Sequence, residues 1–177
     1  MRMKKCKVCG AEYAPRSLAQ VVCSVDCAST YTTLARQKKE RKNDTLRKLQ
    51  LKSRVEWIRD AQQACNAYIR KRDESLPCVS CGCTNPRQWH AGHYRTTKAA
   101  PELRFHEDNI HKQCQPCNEH LSGNLIPYRS ELIKRIGLAQ VEWIEGPHQP
   151  AKWTIEELKE IIAYYKQKTK ELGYTNA

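Results

Sequence analysis

The chain contains one Phe, two Met and seven Gly among its 177 residues. So little large apolar bulk limits the core, and small units with modest cores need a staple. No apolar run approaches membrane-spanning length, and the opening MRMKKCKVCG has basic residues but no apolar stretch of a signal peptide. Those two absences predict a cytoplasmic protein without a membrane partner. In a reducing compartment the ten cysteines read as metal ligands before disulfides. Acids are short too, 19 against 31 Lys and Arg, which leaves a formal net charge of +12. An excess of that size points to a polyanionic partner, most simply nucleic acid, without naming an activity.

The positive charge is concentrated. Between Arg36 and Arg54 stand nine basic residues and two acids, Glu40 and Asp44, whereas the stretch from Thr154 balances four acids with four lysines. Residues 28–53 read as a helix that is polar almost all round. It is either a solvated linker or a basic arm lying along phosphates, and the two readings can coexist. Lys38, Lys39, Arg41 and Lys42 are its candidate DNA contacts.

The cysteines fall into two sets. Cys6-x2-Cys9 and Cys23-x3-Cys27 supply four thiolates, enough for one tetrahedral Zn²⁺, and Gly10 lets the backbone turn beneath the metal. Cys78-x2-Cys81 and Cys114-x2-Cys117 repeat the pattern around an insert of about thirty residues. About two structural Zn²⁺ per chain follow. Cys83 lies too close to Cys81 to make a regular second pair. Cys65 sits in the stripe Trp57, Ile58, Ala61, Ala64, Cys65, Tyr68, Ile69, the apolar face of a helix, and reads as a buried side chain.

Further on, IPYRSELIKRIG reads as a helix with Pro127 near its first turn and Gly137 at its end, and a short helix follows around Val141–Ile144. Thr154 and Glu157 form a capping box for a last helix, with Trp153 stapling to Leu158. Its stripe Ile155, Leu158, Ile161, Ile162, Tyr165, Leu172 packs on the same chain or, alternatively, forms a dimer seam. The fold class is α+β, mainly helical. The chain divides into a four-cysteine zinc module (1–30), a basic helical linker (31–53), a second zinc-stapled domain (54–137) and a C-terminal helical region (138–177).

Five of the six histidines, His90, His93, His106, His111 and His120, fall between residues 90 and 120. They lie with Asn109 and Asn118 inside or beside the second zinc set. HAGHY, NIHKQC and CNEH in this order resemble the marks of HNH nucleases, whose fold is a hairpin plus helix (ββα-metal). The zinc-stapled subgroup carries CxxC pairs where this chain has them. LPCVSCG, QWHAGHYRTT, APELRF, NIHKQC and SGNLIPYR together resemble the Rap or NinG family of lambdoid-phage recombination endonucleases, from about Ser53 to the final helix. That resemblance implies a Mg²⁺- or Mn²⁺-dependent enzyme cutting branched DNA such as Holliday junctions and D-loops. It also implies a bacterial host cytoplasm, host or phage recombination proteins as partners, and a zinc-stapled HNH core at 54–137.

The roles combine chemistry with resemblance. His93 is the expected general base, since an imidazole titrates near neutrality. Asn109, by the resemblance, orients its ring. Asn118 stands where the family uses a metal-binding His or Asn. The family's acid or His before the base is replaced by Gly92, so His90, two residues back on the same strand face, is the substitute ligand. His120 is a rival for the third ligand position. His111 is a phosphate contact, a ligand or a packed structural imidazole, and His106 reads as a surface residue. Arg95, Arg104 and Arg129 are phosphate clamps or ordinary surface charges, with Arg95 foremost because it follows the base. Homodimerisation would supply the two nicks that a four-way junction needs. A non-catalytic zinc protein that binds nucleic acid, or a restriction or homing HNH enzyme on duplex DNA, are the rival readings.

Overall fold

The computed structural model describes residues 2–174. They form two compact units that divide between Lys52 and Ser53.

In the first unit a two-residue antiparallel ladder, β1 (Lys4–Lys5) on β2 (Glu12–Tyr13), pairs Lys4 with Tyr13 and Lys5 with Glu12. Gly10, at φ 75°, turns the chain so that its N–H reaches the Cys6 carbonyl at 3.0 Å, while the Cys6 N–H reaches Ala11 at 2.9 Å. The unit's hydrophobic core cluster is small, with Cys6, Tyr13 and Val22 buried. Ser24 then caps α1 (Val25–Leu51) by accepting from the Cys27 N–H at 3.2 Å. None of the 27 residues of α1 is buried. At 1.5 Å per residue it runs about 40 Å as a solvated rod.

In the second unit α2 (Arg54–Arg72) starts at a capping box between Ser53 and Glu56. Its buried residues Ala61, Cys65, Tyr68 and Ile69 fall on one face and meet α5 (Ile155–Tyr174) through Leu158 and Tyr165. The Thr154–Glu157 capping box is formed as expected, with the Glu157 N–H 3.2 Å from the Thr154 hydroxyl. Ile161, Ile162 and Leu172 pack on the same cluster, so the stripe of α5 closes on α2 of its own chain. The dimer-seam alternative for that stripe is thereby displaced. The C-terminal helical region thus belongs to the core of this unit and not to a separate layer.

Against these helices lies an antiparallel hairpin, β3 (Trp89–His93) with β4 (Ile110–Cys114), in a register that pairs Trp89 with Cys114, His90 with Gln113 and His93 with Ile110. Ala91 and Ile110 face the α2–α5 core. Arg72 and Asp73 bolt the end of α2 to β4: Arg72 donates to the Ile110 carbonyl at 2.9 Å, and Asp73 accepts from the Lys112 N–H at 2.9 Å. The two strands are joined by residues 94–109, which include short 3₁₀ turns at Pro101–Leu103 and Glu107–Asn109. A π-helical turn, Pro116–His120, follows β4, and the chain reverses through Ser122, Gly123 and Asn124, all at positive φ. Next come α3 (Leu125–Ile136) and α4 (Leu138–Glu145), which build a second core of Val79, Tyr128, Leu132 and Val141. None of the described helices is long and apolar enough to cross a membrane.

Candidate functional site

Both cysteine sets converge. In each, the four Sγ atoms, of Cys6, Cys9, Cys23 and Cys27 or of Cys78, Cys81, Cys114 and Cys117, lie within 4.8 Å of one another. Sγ–Sγ distances are 3.6 Å for Cys9–Cys23 and for Cys81–Cys114, and 3.7 Å for Cys23–Cys27. A disulfide needs about 2.05 Å, whereas a tetrahedron with Zn–S bonds of about 2.3 Å has edges of about 3.8 Å. The thiols therefore fit Zn²⁺. Backbone N–H groups support the thiolates: Cys23 donates to Cys6 Sγ at 3.4 Å and Cys114 to Cys78 Sγ at 3.3 Å. Such donors, that of Cys9 foremost, bring the Cys6 thiol down to about 6. Burial opposes the same effect at Cys78, yet the N–H groups of Cys114, Cys81 and Ser80 bring it down to about 7. Cys65 is buried in the α2–α5 core, away from both sets, and Cys83 packs beside the second one.

Strand alternation sorts the histidines. His90 and Gly92 point to one face of β3, toward the π-helical turn, and His93 to the other. The His90 Nδ1 lies 3.1 Å from the Asn118 amide nitrogen and 3.4 Å from a Glu119 carboxylate oxygen. Its Nε2 is buried with no hydrogen-bond partner. The three side chains form a cluster, and two of them, His90 and Asn118, line a polar cavity of about 480 Å³ with Gln88, Asn66 and Arg70. Glu119 was missed in the sequence; only its contact with His90, 29 positions earlier, singles it out. His120 is exposed at the end of the same turn, outside this cluster.

His93 is partly buried, and its Nε2 lies 3.0 Å from the Arg104 carbonyl. A carbonyl can only accept, so Nε2 carries the proton in the neutral ring and Nδ1 keeps the lone pair. Burial pulls this imidazole below the ordinary histidine value and the nearby Arg104 charge adds to that, against the pull of the carbonyl bond. Asn109 does not touch the ring. Its Nδ2 donates to the carbonyls of Arg95 at 3.0 Å and Leu103 at 3.2 Å, and its Oδ1 accepts from the Arg95 N–H at 2.8 Å. The amide thus ties together the two ends of the loop that carries the Arg104 carbonyl.

Several other candidates have different tasks. The Arg95 guanidinium binds the carbonyls of Ile144, Glu145 and Gly146 at 2.8–3.3 Å. Through Nη1 it closes the C-terminal end of α4, where a cation is favoured. Arg129 is paired with Glu145 at 2.7 Å. His111 is buried beside the Tyr128 hydroxyl at 3.4 Å, and burial drives it down to about 3, as befits a packed neutral imidazole. His106, expected on the surface, stacks on Trp143 at 5.0 Å with its Nδ1 buried. Lys38, Lys39, Arg41 and Lys42 are exposed on α1, in the other unit.

The position of Gly92 has a steric reason. A Cβ there would stand 2.0 Å from the Gln113 Oε1 and 3.1 Å from the Asn118 Oδ1. Gln113 is fully buried, and its Nε2 is held at 2.6 Å by both the Ser80 hydroxyl and the Gly123 carbonyl. Its oxygen therefore faces Gly92 and cannot swing away without losing those bonds.

A protein-family model described as Bacteriophage Lambda NinG protein matches residues 1–174 of this chain. Protein ninG of Escherichia phage lambda is 49% identical over 190 residues, covering 96% of this chain and 93% of that protein. Protein ninG of Salmonella phage P22 is 48% identical with the same coverage, as is that of Escherichia phage 933W over 188 residues. No solved structure matches.

Proposed function

The chain belongs to the NinG family of phage proteins, and on that premise we propose that it is a metal-dependent HNH endonuclease that cuts branched DNA. The observation that carries this reading is the tautomer of His93. With Nε2 donating to the Arg104 carbonyl, the lone pair rests on Nδ1. Burial keeps the ring neutral at physiological pH, and a neutral imidazole can take a proton from water. A hairpin followed by a short helical turn, stapled by four thiols, supports the HNH core. His90, Asn118 and Glu119 are the candidate holders of a divalent cation: an amide and a carboxylate gather around the His90 Nδ1, within 3.4 Å of it. Mg²⁺ strongly prefers oxygen donors, and Glu119 supplies the carboxylate that Gly92 cannot. Bound there, Mg²⁺ or Mn²⁺ would stabilise charge on the phosphate and the leaving oxygen.

His93 at Nδ1 accepts the proton of the attacking water. The Arg104 carbonyl holds the ring, and Asn109 holds the loop that presents that carbonyl. Two Zn²⁺ ions at the four-thiol sets hold the scaffold, and the basic face of α1 adds phosphate contacts. Two nicks in a four-way junction need two such sites, so the working form is a homodimer with its seam elsewhere than the α5 stripe.

The test is cleavage of a labelled four-way junction against linear duplex of the same sequence, with and without Mg²⁺. His93→Ala should lower kcat by several orders of magnitude and leave junction affinity nearly unchanged. Wild-type kcat should decline as pH drops below the ordinary histidine pKa of about 6.5, because the base must be deprotonated, and stay level above it. Cleavage by His93→Ala at the wild-type rate would remove the proposed base. Binding without any metal-dependent cleavage would leave a zinc-containing nucleic-acid-binding protein, and one strictly sequence-defined duplex site would leave a restriction-type enzyme.

A further inference from the structure

Four arginines in the second unit are engaged within the protein. Arg72 pairs with Asp73, Arg129 with Glu145 and Arg135 with Glu131, while Arg95 is bound by carbonyls. Arg59, Arg70 and Arg104 differ. Among the described residues none of the three has a carboxylate partner, and all three line one trough of about 710 Å³. Arg104 donates only to the Gln62 side-chain oxygen, at 3.3 Å, and burial lowers its pKa. Cations gathered in a concavity without counter-charge are a costly arrangement unless an anion completes it.

The trough has a direction. Arg59, Gln62, Asn66 and Arg70 recur every three or four residues, hence along one face of α2. Eleven residues at 1.5 Å each set Arg59 and Arg70 about 16 Å apart along the axis. Asn66 and Arg70 also line the cavity of His90 and Asn118, so the two hollows are continuous along the free edge of β3. Arg104 joins them to the base, since its guanidinium lines the trough while its carbonyl binds His93.

We propose that this trough holds the sugar–phosphate backbone of one nucleic-acid strand, with Arg59, Arg70 and Arg104 on successive phosphates, and that Arg104 is the positioning residue linking that strand to His93. The occupant is a single strand because Arg70 and Arg104 are partly recessed in the hollow, with the exposed Arg59 at its rim. A flexible strand can bend its phosphates into it, whereas duplex DNA is stiff over about 150 base pairs. Side-chain amides of Gln62 and Asn66 are neutral partners that suit any base, so recognition follows backbone shape more than sequence. For a branched substrate the strand is an arm unpaired at the branch. The link to His93 rests on the nuclease reading; the strand site does not.

The experiment measures binding of the full-length, zinc-loaded protein to a labelled oligothymidylate of about 16 nucleotides across a salt series, without added Mg²⁺. Arg59→Gln, Arg70→Gln and Arg104→Gln should each reduce the slope of log affinity against log salt by about 0.7. Arg→Lys at the same positions should keep the slope, and zinc content should not change. The basic α1 contributes the same background in every variant. In cleavage assays Arg59→Gln, at the end of the trough away from the His90 cavity, should raise KM several-fold with kcat held. A triple Gln variant with the wild-type slope would overturn the proposal. So would loss of duplex binding with oligothymidylate binding intact. Slopes that fall as stated in a protein that cuts nothing would keep the strand site and remove the nuclease reading instead.

Discussion

The two cysteine knuckles are locally alike and globally different. In both, a glycine after the second Cys, Gly10 or Gly82, has positive φ and donates to the carbonyl of the first Cys, at 3.0 and 2.9 Å. In both, the first Sγ accepts a backbone N–H from a cysteine of the second pair. Yet the first knuckle is nearly the whole core of its unit, supported by Tyr13 and Val22. The second sits at the end of a hairpin whose other residues are packed on two helices. The same ligand device makes up most of a fold's core in one place and clamps an already packed element in the other.

Withdrawing zinc should expose that difference most strongly, since structural zinc is worth about 10–16 kcal/mol in small modules. Cys6→Ser should lose one equivalent of zinc and all slow hydrogen exchange in residues 2–24. Cys114→Ser should lose the other equivalent and unlock β3 and β4, while amides of α2 and α5 stay protected. Equal loss of protection throughout the second unit would show that its helices depend on zinc as fully as the first knuckle does.

The converse probe is the apolar core. Ile69 is fully buried between α2 and α5, so Ile69→Ala should cost about 2–5 kcal/mol in denaturant unfolding of the second unit. Zinc content at the first knuckle should not change. Leu46→Ala, on exposed α1, should stay within about 0.5 kcal/mol. A similar cost at both sites would mean that α1 buries a face this structure leaves in water.

The smallest effect separates the units by pH. The first unit has no histidine, whereas His111 and His93 in the second are both depressed by burial. Below the unfolded value near 6.5 the unfolded chain takes up protons that the folded His111 refuses until about pH 3. Stability therefore is full above about 6.5 and declines as pH falls. One such proton is worth about 1 kcal/mol between pH 6.5 and 5.5. His111→Gln should flatten this slope in urea unfolding at several pH values. An unchanged slope would assign it to other groups.

The convergence of both thiol sets was legible because ligand pairs are local and the spacing of C-x2-C constrains the turn between them. The capped helices and the buried Cys65 were legible from periodicity for the same reason. What periodicity could not reveal was which surface covers α5, because an apolar stripe states a need and not a partner. Asn109, Arg95 and Glu119 were harder still. Arg95 reaches carbonyls about fifty positions away, and Asn109 acts on the loop beside His93 and not on its ring. Such side-chain contacts depend on tertiary geometry, which a linear motif does not encode.

The pairing of Gly92 with Gln113 also constrains how this protein can change. An acidic residue at 92 would place its first side-chain carbon 2.0 Å from an oxygen that Ser80 and Gly123 hold in place. Placing a carboxylate on the strand therefore calls for a smaller residue at 113 as well, and shrinking 113 alone opens a hole and leaves the Gly123 carbonyl to the Ser80 hydroxyl. Two residues on neighbouring strands are thus interlocked: the side chain at 113 decides what position 92 can hold.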